Sequence, residues 1–379
     1  MKPETAYDTA IIGGGLAGLC LSIQLAKQGF KVILFEKESY PFHKVCGEYI
    51  SMESYEFLKG LGLPLDEMQL PFIKKLIVTS PSGTALQAHL DLGGFGISRY
   101  KIDNDLKDIS EKNNVQVLQN CKVEDVKFED ESFTIATSEG NFTAKTCCGS
   151  FGKKSNLDIK WKRPFAKAAP NKLNNFIGIK YHVITDMPAD TIALHNFKNG
   201  YCGISKIEDE KYCLCYLTNA ANLKESNNSI DEMERNILSA NPHLKNIFSK
   251  AKKIYSTPLS ISQISFQKKS QVEDHVLLIG DAAGMITPLC GNGMSMAMHG
   301  SKLAAECVSS FLQNTISRQQ MEKDYERKWK NNFAKRLSTG RIVQSFFGKE
   351  SSTNIFIKIM KRIPFITKSI IKATHGRPF

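Results

Sequence analysis

Apolar and polar residues follow two different patterns along this chain. The first pattern opens with a short apolar run, Asp8 to Ile12, that ends in glycines. Leu16 to Gln28 follows with apolar positions at helical spacing, and Lys31 to Phe35 is a β-branched and aromatic run. Strand, helix and strand of these lengths predict a βαβ unit, the opening of a nucleotide-binding fold. Further strands are expected at Ile73–Thr79, Ala85–Leu90, Val115–Leu118 and Val123–Phe128, with a helix over Ile102–Glu111. Phe133–Thr137 and Phe142–Cys148 predict a hairpin turning at Glu139-Gly140-Asn141.

From about Asn174 to Phe266 the pattern changes to short alternating runs: Phe176–Ile184, Ile192–Phe197, Tyr201–Ile207 and Tyr212–Leu217. Turn signals at Asn199-Gly200 and Glu208-Asp209-Glu210 separate them, so an antiparallel sheet is expected, followed by a helix from about Ser229. His275–Ile279 returns to the first pattern, and the chain after Gly293 reads as helical. The expected fold class is α/β. A discontinuous Rossmann-like nucleotide domain takes residues 1–170 and 267–317, and part of 65–100 is open to assignment to the second domain. A β-rich substrate domain is inserted at 171–266, and a helical segment covers 318–379.

Composition narrows the picture. With 379 residues, 42% hydrophobic and 23% charged, the chain is ordinary globular material long enough for two domains. No basic, apolar and small-residue series opens it, and no apolar run has the length of a membrane span, so a cytoplasmic protein is expected. The net charge of +12 is concentrated: Arg318 to Phe379 holds fifteen basic and four acidic residues, leaving the rest nearly neutral. A basic tail on a neutral body points to one acidic surface or partner rather than to nucleic acid. The ten cysteines include no CxxC pair and no histidine at zinc-finger spacing, so no metal site is expected and most thiols read as reduced core residues.

Two motifs carry candidate chemistry. Gly13, Gly15 and Gly18 fit GxGxxG between the first strand and helix, where glycines let the backbone approach a pyrophosphate at the helix N-terminus. Glu36 ends the next strand, eighteen residues after Gly18, in reach of an adenosine ribose. Taken alone, GxGxxG often marks only a tight turn; the strand, helix and acid around it favour FAD or NAD over NADP. The second motif runs from Leu277 through Gly280-Asp281-Ala282-Ala283-Gly284 to Pro288 and Gly291-Asn292-Gly293-Met294.

This block resembles the second flavin signature of the para-hydroxybenzoate hydroxylase and geranylgeranyl reductase superfamily, whose motifs occur here in the same order over most of the chain. The resemblance implies that Asp281 binds the ribityl chain and that Gly291 to Met294 offer N–H groups to the carbonyl edge of the flavin, where a helix N-terminus stabilises negative charge. Ser98 to Asp103 resembles the family's arginine motif, placing Arg99 near the flavin. Pro41 to Glu48 resembles the reductases' cysteine-glycine segment, placing Cys46 and Gly47 at the ring. The expected FAD contacts are therefore Gly13, Gly15, Ala17, Gly18, Glu36, Lys37, Gly47, Arg99, Val123, Gly280, Asp281, Pro288, Gly291, Asn292, Gly293 and Met294. Cys46 is the candidate catalytic residue, weighed against a buried core thiol.

Two departures matter. Phe151 stands where the family has an aspartate in its DG motif, which weakens the inference of NAD(P)H as electron donor. The halogenases' Trp-x-Trp-x-Ile-Pro signature is absent, since only Trp161 and Trp329 occur, in unlike contexts. The resemblance implies double-bond reduction of an apolar, prenyl or lipid-like substrate. The alternatives are a monooxygenase hydroxylating a lipophilic aromatic and a flavin-binding docking protein without turnover. In the tail, Ile355, Phe356, Ile359 and Ile363, then Phe365, Ile366, Ile370 and Ile371, interleave with basic residues. Such amphipathic helices either cover a core or contact an anionic membrane or acidic carrier, so a membrane-associated location is a second expectation.

Overall fold

The computed structural model describes residues 7–167, 175–287, 291–346 and 350–379. Its first sheet grows from the opening βαβ unit. Tyr7–Ile12 lies between two parallel neighbours, Val32–Phe35 and Gly140–Gly149. Val276–Leu278 and Gln116–Leu118 continue the parallel order on either side. Val32–Phe35 is buried at every position, as a parallel strand covered on both faces must be. Leu16–Ala26 packs on this strand with Arg99–Lys112 and Gly293–Leu312 against that helix, and the Phe142 ring meets Phe35 at 5.2 Å. The predicted hairpin forms as Ser132–Thr137 against Gly140–Gly149, and Val123–Glu129 adds outside it.

The second sheet is mainly antiparallel. Phe176–Ile184, Tyr212–Asn219, Gly200–Lys206 and Thr191–Phe197 pair in that order. Its membership reaches further back than residue 171. Phe72–Thr79 joins Thr191–Phe197 in parallel, Ala85–Gly96 pairs with Phe72–Thr79, and Tyr49–Ser51 closes the edge. The second layer is thus assembled from three chain segments, and the expected boundary at 170 falls outside the described residues. The sequence did not signal Tyr49–Ser51, the helix Tyr55–Leu61 or the edge strand Leu259–Ile264. In the last, Leu259 and Ile261 alternate with serines, but Gln263, at φ 57°, interrupts the alternation before Ile264.

The C-terminal helices are not an appendage. In Arg318–Phe346, Met321, Tyr325, Trp329, Phe333 and Leu337 recur at four-residue spacing and are buried in the core of the first layer. The Tyr325 phenol donates to the Leu278 carbonyl at 2.7 Å, tying this helix to the strand that precedes Asp281. Glu350–Arg362 and Pro364–Thr374 then cross to the second sheet, where Ile357 and Met360 pack on Val78 and Leu86. Among the described residues no helix is long and apolar enough to cross a membrane.

Three histidines are held neutral by this packing. Burial, with His243 alongside, pushes His195 down to about 3. Burial, with Arg336 and Lys302 nearby, pushes His299 to about 4, and burial with Lys180 and His182 does the same to His43. Unfolded histidine titrates near 6.5, so below that pH the unfolded chain binds protons that the folded chain refuses. The stabilisation is complete above about pH 6.5 and is lost as pH falls toward about 4. Urea midpoints should therefore decline across that interval, and His195→Gln should flatten the decline. A midpoint constant from pH 7 to pH 4 would contradict it.

Candidate functional site

The glycine loop is shaped by what a side chain would strike. Gly13 has φ +100°, and a Cβ there would lie 2.7 Å from the Ser150 carbonyl oxygen. At Gly18 an added Cβ would meet the Gly13 carbonyl at 2.2 Å and the Ser150 hydroxyl at 2.5 Å. That hydroxyl donates to Gly13 O at 2.6 Å, so Ser150, from the strand end Gly140–Gly149, locks the turn. Gly15 caps Leu16–Ala26 with no side-chain hydrogen bond, leaving the first helical N–H groups for a ligand. The Arg99 and Lys44 cations come within 3.5 and 3.8 Å of the place a Gly15 Cβ would take. Both are steadied by buried Asp103: Arg99 through bonds of 2.8 and 2.7 Å, Lys44 through one of 3.0 Å. Burial opposes charge on Asp103, but Arg99 and Lys44 hold its carboxyl below the usual range. Two cations against one carboxylate leave net positive charge over a helix N-terminus, the setting a pyrophosphate requires.

A cavity of about 330 Å³ begins at this loop and runs between the two sheets. Gly15, Ala17, Cys46, Gly47, Arg99, Gly280, Asp281, Gly291, Asn292, Gly293 and Met294 all line it, bringing together expected residues from five chain segments. Gly13 and Gly18 shape the loop behind the wall. Cys46 is half-buried, and a Cβ added to Gly47 would meet nothing within 4 Å. Asn292 starts the helix Gly293–Leu312 without a side-chain cap, and among the described residues its buried Oδ1 has no hydrogen-bond partner. Lys269 donates to the Asp281 carbonyl at 2.8 Å and the Lys153 carbonyl at 2.9 Å; burial lowers its pKa to about 8.

Three expectations fall elsewhere. Glu36 accepts the Gly14 N–H at 2.9 Å and the Glu38 N–H at 3.1 Å, and the Tyr40 phenol donates to the Gly14 carbonyl across it. Its carboxylate latches the loop to the second strand and does not line the cavity. Lys37 is exposed beside Glu38, and Val123 is buried in the core at a strand start. Pro288 lies outside the described residues. Trp161 and Trp329 sit against Phe151 and Phe333 in the packing and do not line the cavity.

Beneath Cys46 lies a buried charged cluster, whose trace in the sequence is Lys180 and His182 inside an otherwise apolar strand. Glu48 has φ 55° and is 0% exposed; Lys180 and His182 are 1% and 2% exposed. Glu48 accepts from Lys180 Nζ, from His182 Nε2 at 2.6 Å and from the Arg99 N–H at 2.8 Å. Burial would raise its pKa, but Lys180 and His182 hold it below the ordinary range, while Glu48 keeps buried Lys180 charged. The Cys213 thiol donates to the Cys46 carbonyl at 3.2 Å. Glu48, His182 and Cys213 place ligand atoms within 4.8 Å of one another, but the Lys180 ammonium already supplies the cation there.

The far half of the cavity is aliphatic. Leu76, Val78, Leu86 and Leu90 come from the second sheet, and Ile357, Met360, Ile370 and Ile371 from the last two helices. The residues fit FAD at the near end: uncapped helix N-termini, paired cations, and glycines that leave space. Gly47→Ala should fold with an unchanged apoprotein melting temperature yet bind FAD more weakly, because only the ligand can meet the new methyl. Asp281→Ala should retain the fold and weaken FAD by about tenfold or more, the loss of a charged hydrogen bond of about 1.5–3 kcal/mol. Flavin fluorescence titration of the apoproteins checks both; wild-type affinity in both variants would remove these residues from the site.

Comparison with known proteins gives two family matches: an NAD(P)-binding Rossmann-like domain over residues 11–45, and squalene epoxidase over residues 203–351. Conditioned medium factor receptor 1 of Dictyostelium discoideum is 25% identical over 90% of this chain and 71% of its own. Digeranylgeranylglycerophospholipid reductase of Methanococcus vannielii is 23% identical over 88% and 85%. Tryptophan 2-halogenase of Chondromyces crocatus is 22% identical over 92% and 69%. Among solved structures, a flavin-dependent brominase superposes with a TM-score of 0.79 at 20% identity, covering 97% of this chain and 93% of its own.

Proposed function

Because the chain is an FAD-dependent oxidoreductase, we propose that it saturates a carbon–carbon double bond in a long-chain, prenyl-like or other lipid substrate. The observation that carries this reading is the continuity of the cavity. Its FAD end, at Gly47 and Gly291, opens into an aliphatic end walled by Leu76, Val78, Leu86 and Ile357, with no charged side chain among these four. Such a wall matches a hydrocarbon and offers little to orient a polar substrate. The sequence similarity to a reductase of digeranylgeranylglycerophospholipids supports the same substrate chemistry.

Bound FAD supplies hydride chemistry at its ring, and the chain supplies the rest. The N–H groups from Leu16 onward, with Arg99 and Lys44, would hold the phosphates. Asp281 would hold the ribityl chain, and the start of Gly293–Leu312 would stabilise negative charge at the ring's carbonyl edge. Cys46 and Gly47 form the wall between ring and substrate, while the aliphatic residues exclude water. The electron donor is proposed to be NAD(P)H. Phe151 occupies the DG-motif position and packs beside Trp161, so the donor would dock differently from the family pattern.

A second reading, oxygen insertion into an apolar substrate by a monooxygenase, draws on the squalene epoxidase match over 203–351. The two separate by product. Anaerobic incubation of the dithionite-reduced holoenzyme with prenyl lipids should give the dihydro product. Product formation that requires oxygen and adds an oxygen atom would replace reduction with monooxygenation. Cys46→Ser should keep its flavin and change turnover or product pattern; unaltered kinetics with full flavin content would return Cys46 to an ordinary wall position.

A further inference from the structure

The two last helices have two faces with opposite jobs. Their inner faces close the cavity: Ile357 and Met360 from Glu350–Arg362, Ile370 and Ile371 from Pro364–Thr374. Thr367 and Thr374 are buried too and return their hydroxyls to backbone carbonyls, at 3.0 Å to Met360 O and 3.0 Å to Ile371 O. The outer faces do not follow the usual polar rule for a surface helix. Ile355 is 58% exposed, Ile359 and Ile363 45% each, and Phe365 78%. Helical spacing sets Lys358 and Arg362 beside Ile355 and Ile359, and Lys368 and Lys372 beside Phe365, all exposed. After Ser351 the chain has six basic residues and no acidic one.

We propose that this outer face is a docking surface for an anionic phospholipid bilayer, with the helix pair lying in the interface directly above the cavity. Apolar side chains that project singly between cations suit a bilayer, whose tails take isolated insertions while its headgroups meet the charges. An acidic carrier protein would match the charge but leave Phe365 and the isoleucines no comparable apolar phase. The placement also has a consequence for access. The same helix pair separates bilayer from cavity, so a lipid entering past it would pass from one apolar phase to another. That use rests on the lipid-substrate reading; the docking does not.

The test uses the full chain with FAD bound. Removing the tail would be uninformative, because Ile357 and Met360 are cavity wall. Co-sedimentation is measured with phosphatidylserine-containing and pure phosphatidylcholine vesicles at low and high salt. Wild type should pellet with the anionic vesicles and be released by salt. Ile359→Glu with Phe365→Glu, and separately Lys358→Glu with Arg362→Glu, should each lower partitioning about tenfold or more while melting temperature and flavin content stay unchanged. Phe365→Trp gives an independent reading: its emission should shift blue on anionic vesicles and be quenched by brominated lipid. Wild type left in the supernatant over anionic vesicles at low salt overturns the proposal. So does equal pelleting by wild type and both double variants, or binding to an immobilised acidic carrier protein without binding to vesicles. None of these readings depends on turnover, so failure of the reductase assignment leaves the test intact.

Discussion

The carboxylate of Glu48 is the point on which the two layers of this molecule depend. A fully buried charge is tolerable only if partners replace the water it has lost, and Glu48 has three. Lys180 and His182 reach it from one face of Phe176–Ile184, two residues apart as a strand requires, and the Arg99 N–H reaches it from the start of Arg99–Lys112. Those bonds join the second sheet, the helix that carries Arg99, and the segment that carries Lys44, Cys46 and Gly47. Glu48 stands in the left-handed region at φ 55°, a conformation that costs a non-glycine residue about 1–2 kcal/mol. The chain accepts that cost because the conformation turns the carboxylate under the loop. Removing the carboxylate would leave Lys180 charged and unpaired in the interior, which is more damaging than never having had the pair.

Legibility of the sequence followed from how local each cause is. Gly13, Gly15 and Gly18 were readable because their necessity is steric and their spacing is set by one turn. Glu36 was readable as an acid at the end of the second strand, but its partners were not: it takes the Gly14 and Glu38 N–H groups, and Tyr40 lies across the loop. Internal strands such as Phe176–Ile184 were visible as apolar runs. The Lys180 and His182 within that run were the available hint of a buried polar cluster, since a charge in an otherwise apolar strand must find a partner. What the strand could not reveal was that the partner is Glu48, more than a hundred residues away. Leu259–Ile264 was missed because its alternation is short: Leu259 and Ile261 alternate with serines, and Gln263 breaks the pattern before Ile264.

The tail shows a different limit. Amphipathic spacing gave the helices, and the basic residues gave a charged face, but periodicity cannot say which apolar residues meet the core. Ile357 and Met360 are buried and Ile355 and Ile359 are exposed, although the helical spacing singles out Ile355 and Ile359. A helix wheel with apolar residues on both sides has two candidate interiors, and only the position of Val78 and Leu86 selects one. The basic helical segment expected at 318–379 packs as helices that complete both layers: Trp329 and Phe333 the first, Ile357 and Met360 the second.

These placements bear on how one scaffold accommodates reductases and halogenases alike. The loop chemistry sits at strand ends and helix starts of the first sheet, where backbone geometry rather than side-chain identity does the binding. On the proposed reading, substrate contact falls to the second sheet and the last two helices; among the described residues the second sheet shares no strand pairing with the first. Aliphatic residues there can be exchanged without disturbing Gly13 to Gly18 or Asp281. Couplings between the two layers include Glu48 and Asn292, whose side-chain amide donates to the Thr374 carbonyl at 3.1 Å. That single bond fixes the end of the last helix to the residue that opens Gly293–Leu312. The position of the cavity's outer wall is thereby set from the cofactor side, and a change in how Asn292 is engaged would be felt at the wall as well as at the loop.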